Sequence, residues 1–211
     1  MSMARQYRNK ISLSELTLDI DHRKYDVGQF DFSEIEEYVR EISNGRQYQF
    51  DAIRQIMVYL WGGRYESIED LARQNFKKKE AIRQRFSSEK KLLSQIPLPG
   101  KLSGVCYMAT GAGKSYVIFA IAYLSILLGK VKRVLVLGPP STVIEQGLTE
   151  KFRDYMYSPK GLAMKNKLPE KYRNIQVSLC NANDIVDDYS IVIENINAVI
   201  IHNVIDRKST R

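Results

Sequence analysis

The sequence contains very few of the residues that build metal centres and disulfide frameworks. Its 211 residues include two cysteines, two histidines and one tryptophan, with no CxxC pair and no histidine cluster. Cys106 and Cys180 follow no pairing pattern, so we expect two reduced thiols. The scarcity of nitrogen and sulfur ligands excludes a zinc site. These features together predict a cytoplasmic protein.

Long hydrophobic runs are also missing. The longest apolar run covers residues 116–128, which is far short of the roughly 20 residues that a membrane-spanning helix needs. The first ten residues are polar and basic, with no apolar stretch behind them, so they do not form a secretory signal peptide. We therefore expect a protein that is not attached to a membrane, with a buried helix over residues 116–128.

Charge of one sign is in excess. Lysine and arginine number 32 against 24 acidic residues, giving a formal net charge of +8 and a pI of about 9.4. A basic excess favours polyanionic partners such as nucleic acid. It is equally compatible with a surface that is charged for solubility. Hydrophobic residues make up 44% of the chain, which is enough to form a folded core.

The first hundred residues predict helices. Ser33 and Glu36 have the spacing of a capping box, which predicts a helix that runs to about Ile42 and ends at an Asn-Gly pair. Apolar residues recur at helical spacing over residues 47–61, before a Gly-Gly pair. We therefore expect a helical N-terminal region over residues 1–100.

Residues 67–94 predict further helices with a strongly basic surface. Beyond the capping residues, only Glu80 and Glu89 oppose eight cations. These eight are Arg73, Lys77, Lys78, Lys79, Arg83, Arg85, Lys90 and Lys91. The stretch can follow a phosphate backbone, or it can be a solvated helix face that packs on the core. Phe76 and Phe86 fit the inner face of a helix better than a platform for stacking bases.

From about residue 101 the pattern alternates between strand and helix. We predict strands at 103–108, 133–138, 175–179 and 198–201, and helices at 114–128 and 142–155. This order predicts an α/β fold, in which a parallel sheet is covered by helices on both faces. We expect residues 101–211 to form this nucleotide-binding core and the strand at 133–138 to be buried.

The strongest motif lies between the first of these strands and its helix, and reads Met108-Ala-Thr-Gly-Ala-Gly-Lys-Ser115. Gly111 and Gly113 allow backbone conformations in which successive N–H groups point at an anion. The helix that begins near Lys114 adds its positive dipole end and its free N–H donors. The sequence therefore predicts a phosphate-binding loop of the Walker A type.

Each side chain of the loop has a predicted role in binding ATP and Mg²⁺. Lys114 brings a positive charge to the β- and γ-phosphates, where it acts as the catalytic cation, and the Ser115 hydroxyl coordinates Mg²⁺. Thr110 and Ala112 complete the nucleotide-binding residues. Met108 stands where the general pattern has glycine, which excludes the strict kinase and GTPase form of the loop.

This loop resembles the first motif of superfamily-two, DEAD/DEAH-type helicases and translocases, and it is particularly similar to the motor (Res) subunit of type III restriction enzymes. Gly45-Arg-Gln-Tyr-Gln-Phe-Asp-Ala-Ile53 resembles the adenine-recognition motif of that family. The resemblance implies that Gln49 reads the adenine edge, because an amide both donates and accepts hydrogen bonds. It also implies that Arg46 lies beside the base or the phosphates, and that the fold is RecA-like.

A second stretch, Val134-Leu-Val-Leu-Gly-Pro-Pro-Ser-Thr-Val-Ile-Glu145, resembles the next motif of the family. By that resemblance Pro140, Ser141 and Thr142 contact a nucleic-acid backbone. Thr142 and Glu145 have the spacing of a capping box, so an ordinary strand-to-helix cap explains the same residues. The stretch Ile193-Glu-Asn-Ile-Asn-Ala198 also resembles the restriction-subunit branch.

The family hydrolyses ATP with an Asp-Glu pair at the end of a later strand, and this chain contains no Asp-Glu-x-His or Asp-Glu-x-Asp. Asp187-Asp188 is the nearest acidic pair, and it lies in a polar stretch. We therefore expect an N-terminal portion of a larger motor that stops before this pair. The implied partners are double-stranded DNA, the remainder of the motor and a modification or specificity subunit. The alternative is a nucleotide- or nucleic-acid-binding module without hydrolysis of its own.

Overall fold

The computed structural model describes residues 16–96, 98–139, 141–181 and 184–196. The chain divides into two compact units that alternate along the sequence. The first comprises Met1–Phe30 and Val58–Cys106, and the second comprises Asp31–Met57 and Tyr107–Arg211. Residues 31–57, which include the predicted adenine motif, therefore belong to the same unit as the predicted phosphate-binding loop.

The first unit contains three short consecutive helices, α3 (Ile68–Lys78), α4 (Glu80–Arg85) and α5 (Glu89–Leu93). Their apolar side chains make two buried clusters, one around Tyr59 and Leu71 and one of Ala72, Ile82 and Leu92. The predicted helical stretch at 67–94 is confirmed, but it is broken. Lys79 and Phe86 adopt extended backbone conformations and separate the helices.

The second unit begins with a single 3-10 turn, Phe32–Glu34, followed by α1 (Glu36–Ile42) and α2 (Gln47–Trp61), whose residues 58–61 belong to the first unit. The predicted bounds of α2 are confirmed. The predicted capping box of Ser33 and Glu36 is wrong, because Asp31 is the residue whose carboxylate accepts from the Ser33 N–H. Glu36 instead pairs with Arg40 one turn later in α1.

The remaining elements follow the predicted order of helices and strands. They are α6 (Lys114–Leu127), β1 (Arg133–Gly138), α7 (Thr142–Tyr157), α8 (Pro159–Lys165), α9 (Glu170–Arg173), β2 (Ser178–Cys180) and β3 (Ser190–Asn195). The predicted positions of α6, β1 and α7 are confirmed to within two residues, and β2 overlaps the strand predicted at 175–179.

The described sheet is parallel and has the order β1-β3-β2. Arg133 lies opposite Ser190 and Gly138 opposite Asn195, so the carboxyl ends of β1 and β3 lie side by side. Helices flank this sheet, and the fold is the α/β class that the sequence predicts. Among the helices of the described ranges, none combines the length and the apolar character that crossing a bilayer requires.

Three details of the sheet differ from the predictions. Residues 103–108 form no strand, and Val105 and Tyr107 are 82% and 81% exposed. Strand β3 takes the central place, where it pairs with β1 along its whole length and with β2 over residues 190–192. The sequence pattern missed β3, because its apolar run is short and ends in Glu194 and Asn195.

Strand β1 is not fully buried, which is the third difference. Leu135 and Leu137 on one face are 53% and 47% exposed, whereas Val136 on the other face is buried. The described elements therefore cover one face of β1 only. The strand predicted at 198–201 lies outside the described residues.

Candidate nucleotide-binding site

The predicted phosphate-binding loop leads directly into α6. Gly111 and Gly113 have φ angles of 79° and 75°, in the left-handed region that side chains disfavour. Gly113 is also the residue that precedes the first turn of α6, and no side chain caps this end of the helix. The first N–H groups of a 14-residue helix are therefore left for another acceptor.

The side chain of Gln49 lies against this turn. Its Nε2 donates a hydrogen bond of 2.6 Å to the backbone carbonyl of Ala112. A Cβ atom added to Gly113 would collide with the same amide nitrogen. The φ angle of Gly113 therefore favours glycine, and a side chain there would also displace the amide of Gln49.

Gln49 is 1% exposed, yet its Oε1 atom has no hydrogen-bond partner within the described part of the chain. A buried amide oxygen without a partner loses the free energy of at least one hydrogen bond. The acceptor of this amide is therefore unsatisfied among the described residues. Arg46 is exposed, and its guanidinium lies 3.5 Å from the position of a Cβ on Gly113.

Lys114 is exposed, and its Nζ donates a 2.9 Å hydrogen bond to the backbone carbonyl of Ala109. The N–H of Ala112 donates to the same carbonyl at 3.2 Å. The loop therefore satisfies its own lysine in this structure. A phosphate would have to replace Ala109 as the partner of Lys114. Thr110 and Gly111 between them are exposed.

Ser115 is half-buried, and its hydroxyl lies 3.3 Å from that of Tyr155 on α7. The Tyr155 ring is buried and stacks on Tyr116 with a centroid distance of 4.5 Å. Burial raises the pKa of Tyr155 to about 12, although the hydrogen bond with Ser115 lowers it. Tyr155 is therefore neutral at ordinary pH. The sequence analysis did not identify it, because no local pattern indicates its contact with Ser115.

The donor set at the loop suits a magnesium ion that arrives with a nucleotide. The described residues contain no group of three or more His, Cys, Asp or Glu side chains able to hold a metal. Mg²⁺ keeps several waters and binds through few protein oxygens together with substrate phosphates. The hydroxyl of Ser115, beside the free end of α6, matches that pattern of binding.

The residues predicted to contact nucleic acid lie where β1 ends and α7 begins. Pro140 and the side chain of Thr142 lie outside the described parts, and Ser141 is half-buried. Glu145, the acid of the predicted capping box, accepts a 2.7 Å hydrogen bond from the side-chain amide of Asn195. This bond joins the first turn of α7 to the end of β3.

The acidic pair Asp187-Asp188 lies at the amino ends of β1 and β3, away from the carboxyl ends where Glu145 and Asn195 meet. Asp188 bonds Lys132 at 2.7 Å and Arg133 at 3.2 Å, beside the beginning of β1 and just before β3. The hydrogen bond from Lys132, together with Arg133, lowers the pKa of the Asp188 carboxyl. Asp188 therefore has a structural role, and ligands of parallel α/β sheets bind at the other edge.

Comparison with known families gives a match over most of the chain. Residues 42–209 match the family model described as "Type III restriction enzyme, res subunit". The matched range contains Gln49, the loop at 108–115 and all three described strands. No curated protein and no solved structure matches the chain.

Proposed function

The chain belongs to the family of the type III restriction enzyme res subunit, and from this premise we propose that it binds ATP and Mg²⁺ as the first part of a DNA-translocating motor. Membership of this helicase-like family supports nucleotide binding by a motor domain of a restriction system. The finer assignments rest on one observation, which is the contact between the buried amide of Gln49 and the turn at Ala112.

The contact supports a base-reading role for Gln49 beside a phosphate-binding role for the loop. The free Oε1 of Gln49 accepts a hydrogen bond from an amino group such as the one at position 6 of adenine. Guanine has a carbonyl at that position, which would face the Gln49 oxygen without a proton between them. We therefore assign Gln49 to base selection, and we place Arg46 beside the base or the phosphates.

The loop residues bind the phosphates in this proposal. Lys114 and the N–H of Ala112 exchange the carbonyl of Ala109 for phosphate oxygens. The N–H groups of the neighbouring loop residues and the free end of α6 surround the same oxygens. Ser115 contributes its hydroxyl oxygen to Mg²⁺. Bound Mg²⁺ neutralises charge that develops on the phosphates.

We assign the nucleic-acid contact to the start of α7, at Pro140, Ser141 and Thr142. Backbone N–H groups at the N-terminus of a 16-residue helix suit a phosphate of double-stranded DNA. The bond between Glu145 and Asn195 joins this helix to the end of β3. A modification or specificity subunit would then supply sequence recognition.

A second function, nucleotide binding without hydrolysis, is favoured by the place of Asp188. Its ion pairs with Lys132 and Arg133 hold Asp188 at the amino ends of β1 and β3, away from their carboxyl ends. No Asp-Glu pair follows a strand within the described ranges. We therefore expect the chain to bind ATP and to release no phosphate by itself.

Calorimetric titration of ATP with Mg²⁺ tests the proposal, with Lys114→Ala as the site variant. We expect saturable binding by the wild type and loss of binding in the variant. Lys151→Ala is a matched control, because Lys151 is also an exposed lysine of a helix in the same unit. Equal affinity of all three proteins would contradict the loop assignment. Phosphate release in the same samples would contradict binding without hydrolysis.

A further inference from the structure

The carboxylates of α3, α4 and α5 all have partners inside the first unit. Asp70 and Glu89 both pair with Arg73, at 3.0 and 3.6 Å. Glu80 accepts from Gln84, and Glu69 accepts from the backbone N–H of Gly100. Asp70 and Glu89 are thus engaged by one arginine, and Glu69 and Glu80, which have only neutral donors, are outnumbered by the remaining cations of these helices.

The cations divide into two groups. Lys79 pairs with Asp19 at 2.8 Å, and the guanidinium of Arg83 donates to the carbonyls of Phe76 and Lys77 at the end of α3. Lys78 interacts electrostatically with Asp21. Four exposed side chains have no ion-pair or hydrogen-bond partner among the described residues: Lys77, Arg85, Lys90 and Lys91.

The aromatic residues of the same helices point away from solvent. Phe76 and Phe86 pack against the buried cluster of Ala72, Ile82 and Leu92. A protein that reads single-stranded bases needs exposed rings on which the bases stack. These helices expose cations but no such rings. This surface therefore suits the phosphate backbone of a nucleic acid, and it does not suit base stacking.

We propose that α3, α4 and α5 form an auxiliary DNA contact, in which Lys77, Arg85, Lys90 and Lys91 neutralise phosphates of a duplex without reading its sequence. The segment of the first unit that contains these helices, Val58–Cys106, lies between Gln49 and the phosphate-binding loop in the sequence. It would therefore add affinity for DNA without contributing to the nucleotide site. The choice of DNA as the polyanion rests on the proposed motor function.

The affinity of the 211-residue chain for a fluorescein-labelled duplex, measured by anisotropy at several salt concentrations, tests this contact. Each phosphate contact contributes about 0.9 to the slope of log K against log salt. Replacing Lys90 and Lys91 together by glutamine should therefore reduce that slope by about 2. Replacing Lys77 and Arg85 by glutamine should reduce it similarly, and two unrelated duplex sequences should give the same change.

The matched control replaces Lys151 and Arg153 on α7 by glutamine, because both are exposed and form no ion pair with another described residue. It removes the same charge, so an equal loss of slope would show a general charge effect and overturn the proposal. Unchanged slopes in both test variants would also overturn it. Displacement of the duplex by polyglutamate as efficiently as by unlabelled DNA would overturn the choice of partner. ATP affinity, measured separately, should not change in the test variants, so failure of the nucleotide assignment is distinguishable.

Discussion

Gln49 and Ala112 lie 63 residues apart in the sequence, and a hydrogen bond of 2.6 Å joins the side-chain amide of one to the backbone carbonyl of the other. The bond uses the donor of the amide and leaves its acceptor buried and without a described partner. One side chain therefore supports the loop, and in our proposal its oxygen also reads the base. Experiments can distinguish these two roles. Support of the loop affects the affinity for every nucleotide equally, whereas reading of the base changes the ratio of the affinities for ATP and GTP.

Replacing Gln49 by alanine should reduce the preference for ATP over GTP. Loss of the bond to Ala112 weakens both nucleotides and cancels in the ratio of their dissociation constants. Loss of Oε1 removes a favourable contact with ATP and an unfavourable one with GTP, so both changes lower the preference. A hydrogen bond contributes about 1 kcal/mol, so the ratio should fall about five-fold. Competition binding of the two nucleotides measures it, and an unchanged ratio would remove the adenine role.

Gly113→Ala should weaken ATP binding more than Gly111→Ala does. Both substitutions place a side chain at positive φ, at a cost of about 1–2 kcal/mol. Only the new Cβ at residue 113 meets Gln49, whereas the one at residue 111 meets nothing within 4 Å. The double variant Gly113→Ala with Gln49→Ala should recover part of the thermal stability. Equal effects of the two single variants would show that Gln49 does not approach the loop in solution.

Ionisation of buried tyrosines should lower the stability of the fold at alkaline pH. Burial raises the pKa of Tyr59, Tyr123 and Tyr155 from 10.0 to about 12. Because the folded pKa exceeds the unfolded one, this contribution is complete below pH 10 and is lost as pH rises towards 12. Thermal unfolding followed from pH 8 to 12 should show that decline. Tyr155→Phe, which keeps the ring that stacks on Tyr116, should make it shallower.

Asp188→Asn should leave ATP affinity unchanged. Asp188 pairs with Lys132 and Arg133 at the beginning of β1, so the substitution removes exposed ion pairs that contribute little to stability. The pKa of Asp188 is lowered from 3.8, so its contribution is present above pH 3.8 and is lost on acidification. Calorimetry and thermal unfolding check both statements. A large loss of ATP affinity would instead identify this residue as part of the site.

Short-range sequence patterns determined the positions of several helices and strands of this protein. The bounds of α2, the start of α6 and the strand β1 follow from spacing, glycine pairs and apolar runs within about 15 residues. The loop at 108–115 is equally local, because two glycines and the start of a helix suffice to present N–H groups. The family match over residues 42–209 bears out the resemblance drawn from these motifs.

Other features depended on contacts between distant parts of the chain. The amide of Gln49 reaches Ala112, Tyr155 reaches Ser115 across 40 residues, and Asp188 pairs with Lys132 across 56. The central place of β3 and the absence of a strand at 103–108 were also decided by pairing between strands. Residue types near a position determine which conformations its backbone can adopt. The partner of a buried polar group is determined only when folding brings distant segments together, because its hydrogen bonds must then be satisfied inside the protein.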